Sequence, residues 1–137
     1  MTTLPAMDTG FAALLAGSVL LLIVYILTQG YTMTKELGAA WNRSSRDGGE
    51  RPKGVLAGRA ERASANFRET YPGFIALCLA LALTGDASGW GMAGALLWFT
   101  ARVVYLPVYL LGLSPWRSLV WVLSLIGLVV MFVAAVF

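Results

Sequence analysis

The chain has no histidine and a single cysteine, Cys78. The first absence removes the usual general base, the Ser-His-Asp triad and most zinc sites. The second rules out an internal disulfide and any cysteine cluster for a metal or an iron–sulfur centre, and Cys78 itself is expected to be plain packing. Charge is scarce too: 12% of residues are charged, where a soluble domain carries roughly a quarter. What fills the gap is apolar, 58% of 137 residues. A core of that size needs far less, so the surplus must face a solvent other than water, and a bilayer is the obvious one.

The few charges are unevenly placed. Residues 35 to 69 hold eight of the ten basic and five of the seven acidic residues, so the whole net charge of +3 arises there. A pI near 9.4 can signal nucleic-acid binding, but this basic stretch is short, loop-like and set between hydrophobic spans, so no nucleic-acid partner is expected. It reads instead as a positive-inside topology signal. The loop from about 35 to 58 is expected in the cytoplasm and both termini outside.

The pattern implies an all-α integral membrane protein, a four-transmembrane-helix bundle forming a single membrane domain over residues 1–137. The uncharged run from Thr9 to Met33 is long enough to cross a hydrocarbon core, which needs about 20 residues. Because it lacks a basic segment before it and outlasts a secretory h-region, it is expected to stay in the mature protein. The Gly-, Ser- and Pro-rich stretch Asn42 to Gly58 reads as a solvated loop, with helix resuming near Arg59. The spans fall at about 10–33, 60–84, 90–111 and 116–137. Strands are excluded by long runs rich in Leu and Ala. The small pairs Ala13/Gly17 and Ala76/Ala80 offer close helix approach.

The chemistry lies in RAERASANFRETYP, residues 59 to 72. Arg62, Asn66 and Glu69 share one helical face, and in the third span Arg102, Tyr105 and Tyr109 share another. Glu69 and Arg102 each lie ten residues from their inside ends, a depth of about 15 Å at the helical rise. Lone charges are costly there, so the two are expected to form a buried pair. Such a pair by itself can serve only to set helix register. With Arg117 and Ser118, however, polar side chains from three spans converge in the cytoplasmic half, which implies an inward-facing polar pocket. Arg59 and Arg117 also suit snorkelling anchors, and Trp90 and Trp116 an interfacial belt. Several guanidiniums, an amide, a carboxylate and two phenols suit a small zwitterion with more than one carboxylate, and a thiol in that field would lose its proton more readily.

The segments RAERASANFRETYP and ARVVYLPVYLLGLSPWRSLVW, residues 59–72 and 101–121, resemble the MAPEG superfamily, the membrane-associated proteins of eicosanoid and glutathione metabolism, in its short bacterial form. The resemblance implies a homotrimer of four-helix subunits in a bacterial cytoplasmic membrane, with glutathione as cofactor at each subunit interface near the cytoplasmic side. Arg62, Asn66, Glu69, Tyr105, Tyr109, Arg117 and Ser118 would line that site, with Arg102 counted among the glutathione-binding groups. Arg117 looks like the arginine that stabilises the thiolate, and Ser118 like a hydrogen-bond donor beside it. Ala65 and Trp121 depart from the pattern, standing where some members carry a basic residue and a tyrosine.

The resemblance thus implies a glutathione transferase or peroxidase acting on lipophilic small molecules that partition into membrane lipid. A non-catalytic lipid-binding or helper protein on the same fold is the alternative. A small proton-coupled exporter using Glu69 is the third, weakened by an uncharged first span.

Overall fold

A computed structural model describes residues 8–137, and all its regular elements are helices. They are α1 (Thr9–Leu37), α2 (Ala39–Arg43), α3 (Val55–Thr84), α4 (Trp90–Leu110) and α5 (Ser114–Val136). The placement of the N-terminus concerns residues 1–7, outside those described.

Local chemistry sets the boundaries. The Asp8 carboxylate accepts the Gly10 N–H at 2.8 Å and caps the start of α1, satisfying a donor that the helix cannot. The polar turn TKEL after Met33 continues the helix to Leu37, four residues beyond the expected end. Gly38, at φ +95°, then breaks it, a conformation open to glycine at no steric cost. The supposed loop is also shorter than expected: α2 occupies its beginning, and α3 starts at Val55 rather than near Arg59. Glu36 Oε1 accepts the backbone N–H groups of Lys53, at 2.5 Å, and Gly54, at 2.8 Å. It thereby pins the strand of chain that enters α3. At the opposite end, Asp86 takes the N–H groups of Gly91 and Met92, at 3.1 and 2.8 Å, capping α4. Pro115 lies in the first turn of α5, where its missing N–H costs nothing.

Three helices, α1, α4 and α5, are long and apolar enough to cross a membrane by length and composition. The fourth expected span, α3, has 30 residues but carries Arg59, Glu61, Arg62, Arg68 and Glu69 in its first half.

The core is an aromatic stack joining α1, α3 and α4. Trp98 lies flat on Phe74, with centroids 3.9 Å apart and planes 11° from parallel. Phe67 sits between Tyr25, at 4.5 Å, and Tyr71, at 5.0 Å. The phenols are not left bare: Tyr25 donates to the Arg102 carbonyl at 2.6 Å, and Tyr71 shares a 2.9 Å hydrogen bond with Ser18. Buried phenols need such partners. Cys78 is fully buried, as expected of a packing residue, whereas Trp90 and Trp116 are exposed.

The close helix approach is not at the small pairs expected from sequence. Ala13 and Ala76 are exposed. It occurs instead between α4 and α5, the most extensive pairing in the fold. There a Cβ on Gly94 would lie 2.7 Å from the Gly127 carbonyl, and one on Gly127 would lie 2.7 Å from the Gly94 carbonyl. The two backbones touch, which only glycine on both sides permits.

Candidate functional site

A cleft of about 530 Å³ opens between α3, α4 and α5, lined by Arg62, Ala65, Asn66 and Glu69 from α3, Tyr105 and Tyr109 from α4, and Arg117, Ser118, Trp121 and Val122 from α5. Helical spacing brings them together: Arg62, Asn66 and Glu69 recur on one face of α3, and Tyr105 and Tyr109 stand one turn apart on α4. The α4–α5 turn at Gly112, φ +72°, folds α5 back so that Arg117 returns over Tyr109. Its guanidinium carbon lies 5.1 Å from that ring's centroid, within cation–π range. From the other side Arg62 Nε donates to the Tyr109 hydroxyl at 3.3 Å. Tyr109 thus sits between two cations.

All the lining residues expected from sequence meet in this cleft except Arg102, whose expected role needs correcting twice. Arg102 is fully buried and does not reach the cleft wall. Nor does it pair with Glu69. Its Nη1 donates to Asn66 Oδ1 at 2.7 Å and its Nη2 to Thr70 Oγ1 at 2.8 Å, while the Glu69 side chain points outward and is exposed. Arg102 does meet α3 within one turn of Glu69, at Asn66 and Thr70, but the rotation about α3 decides the partner. Thr70, four residues after Asn66, lies on the bundle side of that stripe, and Glu69, three after it, on the outer side. Arg102 is further enclosed by Tyr105 and Trp98, with centroids 5.2 and 5.9 Å from its guanidinium carbon.

Sequence reasoning missed Thr70 and Val122. The i, i+4 step from Asn66 was the available signal for Thr70; Val122 is an apolar residue among many and carried none. Arg59 is no free anchor: its Nη1 donates to the Leu110 carbonyl at 3.0 Å, closing the end of α4. Ser118 is exposed, its hydroxyl directed to the Ser114 carbonyl at 3.5 Å.

The cleft therefore combines two accessible guanidiniums, a carboxylate, an amide, two phenols and a hydroxyl, with Trp121 and Val122 as an apolar flank. Among the described residues no cluster suited to a metal ion is present. Comparison with known families matches the MAPEG family over residues 12–137. The chain belongs to the MAPEG family. It is thus an integral membrane protein of a family in glutathione and eicosanoid metabolism. The match covers every residue of the cleft and every helix apart from the first turn of α1, so the MAPEG assignment extends to the whole architecture described above. No curated protein and no solved structure matches this MAPEG chain.

Proposed function

We propose that the cleft binds glutathione and serves a transferase or peroxidase acting on lipophilic electrophiles. The observation that carries this reading is the donor set of the cleft, gathered from three helices into one cavity of about 530 Å³. That volume is of the size usual for small-molecule sites, ~300–1,000 Å³. Glutathione presents two carboxylates, an ammonium, two amides and a thiol. Arg62 and Arg117 can each grip a carboxylate or stabilise an anionic sulfur, Glu69 can hold the ammonium, and Asn66 can meet an amide. The residues present fit the group. Bound there, glutathione supplies a nucleophilic sulfur.

The roles of the chain follow from its charges. Arg62 binds a carboxylate, while Arg117 with Ser118 favours the deprotonated over the protonated thiol. Trp121 and Val122 form the flank along which an apolar partner enters from lipid. This division needs positioning and electrostatics, and no histidine base.

Assembly and topology belong to the same reading. At 30 residues, α3 is about 45 Å long, enough to cross the bilayer as a fourth span. Arg62, Arg68 and Glu69 are exposed on the single chain, and lipid cannot cover such a face. A second copy of the chain would cover it, consistent with a homotrimer whose cleft is completed by a neighbour. The loop from Lys35 to Gly58 lies in the cytoplasm, both termini outside, and the membrane is the bacterial cytoplasmic one. Calorimetric titration of the detergent-solubilised protein with glutathione, followed by thiol turnover against a panel of electrophiles, tests the function. Saturable heat with turnover supports it. Absence of binding refutes it, and binding without turnover favours the non-catalytic alternative.

A further inference from the structure

We infer that Arg102 and Thr70 form a clamp that fixes the Asn66 amide, so that the cleft meets two N–H donors and no carbonyl at that position. Arg102 is thus a positioning residue, acting through Asn66 rather than on the ligand. The inference rests on the cleft's being the glutathione site for its consequence, though not for its geometry.

Arg102 is fully buried, and its guanidinium forks across one turn of α3: Nη1 to Asn66 Oδ1 at 2.7 Å, Nη2 to Thr70 Oγ1 at 2.8 Å. A guanidinium has donors only. Asn66 must therefore turn its oxygen inward, because the flipped amide would set its own NH2 against an N–H of the arginine and forfeit a charge-assisted bond away from water. Asn66 also lines the cleft, so its Nδ2 hydrogens are left for a ligand. The second prong matters because a guanidinium held by one bond can swing. Thr70, Trp98 and Tyr105 hold its plane, and the Tyr25 hydroxyl fixes the Arg102 carbonyl at 2.6 Å.

The consequence is one of specificity. At Asn66 the cleft accepts a carbonyl or carboxylate oxygen and rejects a donor such as an ammonium, which leaves Glu69 as the site for positive charge. The amide orientation thereby sets which way round a zwitterionic peptide lies.

The chain has two asparagines, Asn42 and Asn66, so selective 15N-asparagine labelling resolves the Asn66 side-chain amide in detergent micelles. In the parent protein without ligand this amide is expected to be ordered. Thr70→Val, nearly isosteric, removes the second prong. It should make the amide mobile and weaken glutathione binding about tenfold, raising KM with kcat little changed, and Thr70→Ser should restore both. Asn66→Asp keeps the acceptor for Arg102 but replaces the donors with negative charge, and should weaken binding at least as much while folding normally. An amide as ordered in Thr70→Val as in the parent, or an Asn66→Asp protein that binds glutathione undiminished, overturns the clamp. If the parent binds no glutathione, the ligand reading fails, and the amide order in the two Thr70 variants still decides the clamp.

Discussion

Replacing Gly127 with alanine tests the α4–α5 seam, because the added methyl has nowhere to go. Its carbon would stand 2.7 Å from the Gly94 carbonyl oxygen, 2.8 Å from the Trp98 nitrogen and 3.2 Å from the Trp98 Cα. All three are backbone atoms, so no rotamer change relieves the clash and the two helices must separate. Overpacking of this kind costs ~1–3 kcal/mol. Alanine's better helix propensity returns ~0.5–1 kcal/mol. The net expectation is a loss of up to about 2.5 kcal/mol, as much as roughly 10 °C in Tm for a chain of this size, and the gap from a variant with the propensity gain alone is the full ~1–3 kcal/mol. Gly30→Ala is the matched control: Gly30 lies within α1 and a Cβ there meets nothing within 4 Å. Only the propensity gain applies, so that variant should be as stable as the parent or slightly more so. Thermal unfolding of both in one detergent at one scan rate reads the difference. If Gly127→Ala melts with Gly30→Ala, the two backbones do not meet at this point.

Arg117→Leu should abolish the ultraviolet absorbance of bound glutathione thiolate and slow conjugation, whereas Arg62→Leu should chiefly raise the Kd for glutathione; full thiolate absorbance in an assembled Arg117→Leu protein would leave that arginine a mere anchor. A cysteine placed at Ser45 should resist an impermeant thiol reagent in intact cells, and ready labelling from outside would reject a cytoplasmic loop. Native mass spectrometry in mild detergent should show trimers, stabilised when glutathione is added; monomers and dimers alone would count against the shared cleft.

The polar cleft was legible because charge and amide are conspicuous against an apolar background, and because helical spacing alone puts Arg62 beside Asn66 and Tyr105 beside Tyr109. The partner of Arg102 was not. Depth in the membrane can be counted from the sequence, but the rotation of α3 against α4 depends on how Phe67, Tyr71 and Trp98 stack. That rotation, fixed by packing, turns Thr70 inward and Glu69 outward. The seam was hidden for a similar reason. Gly94 and Gly127 lie on different helices and neither has a small residue four positions away, so their meeting depends on the register between α4 and α5. At α3 the error was local. Gly54 and Gly58 made the segment look like loop, whereas Glu36, from the other end of the loop, fixes the chain at Gly54 and lets the helix begin at Val55.

Glu36 has a further consequence, for how this protein can be altered. By holding the N–H groups of Lys53 and Gly54, it brings the two ends of the intervening chain together irrespective of what lies between them. Residues 37–52 are then a closed excursion whose length is nearly free energetically, since each doubling of a flexible loop costs only ~0.6 kcal/mol. The α1–α3 register is expected to survive insertion there, and no residue of the excursion lines the cleft of the single chain, which makes it the place to graft a tag or a docking peptide.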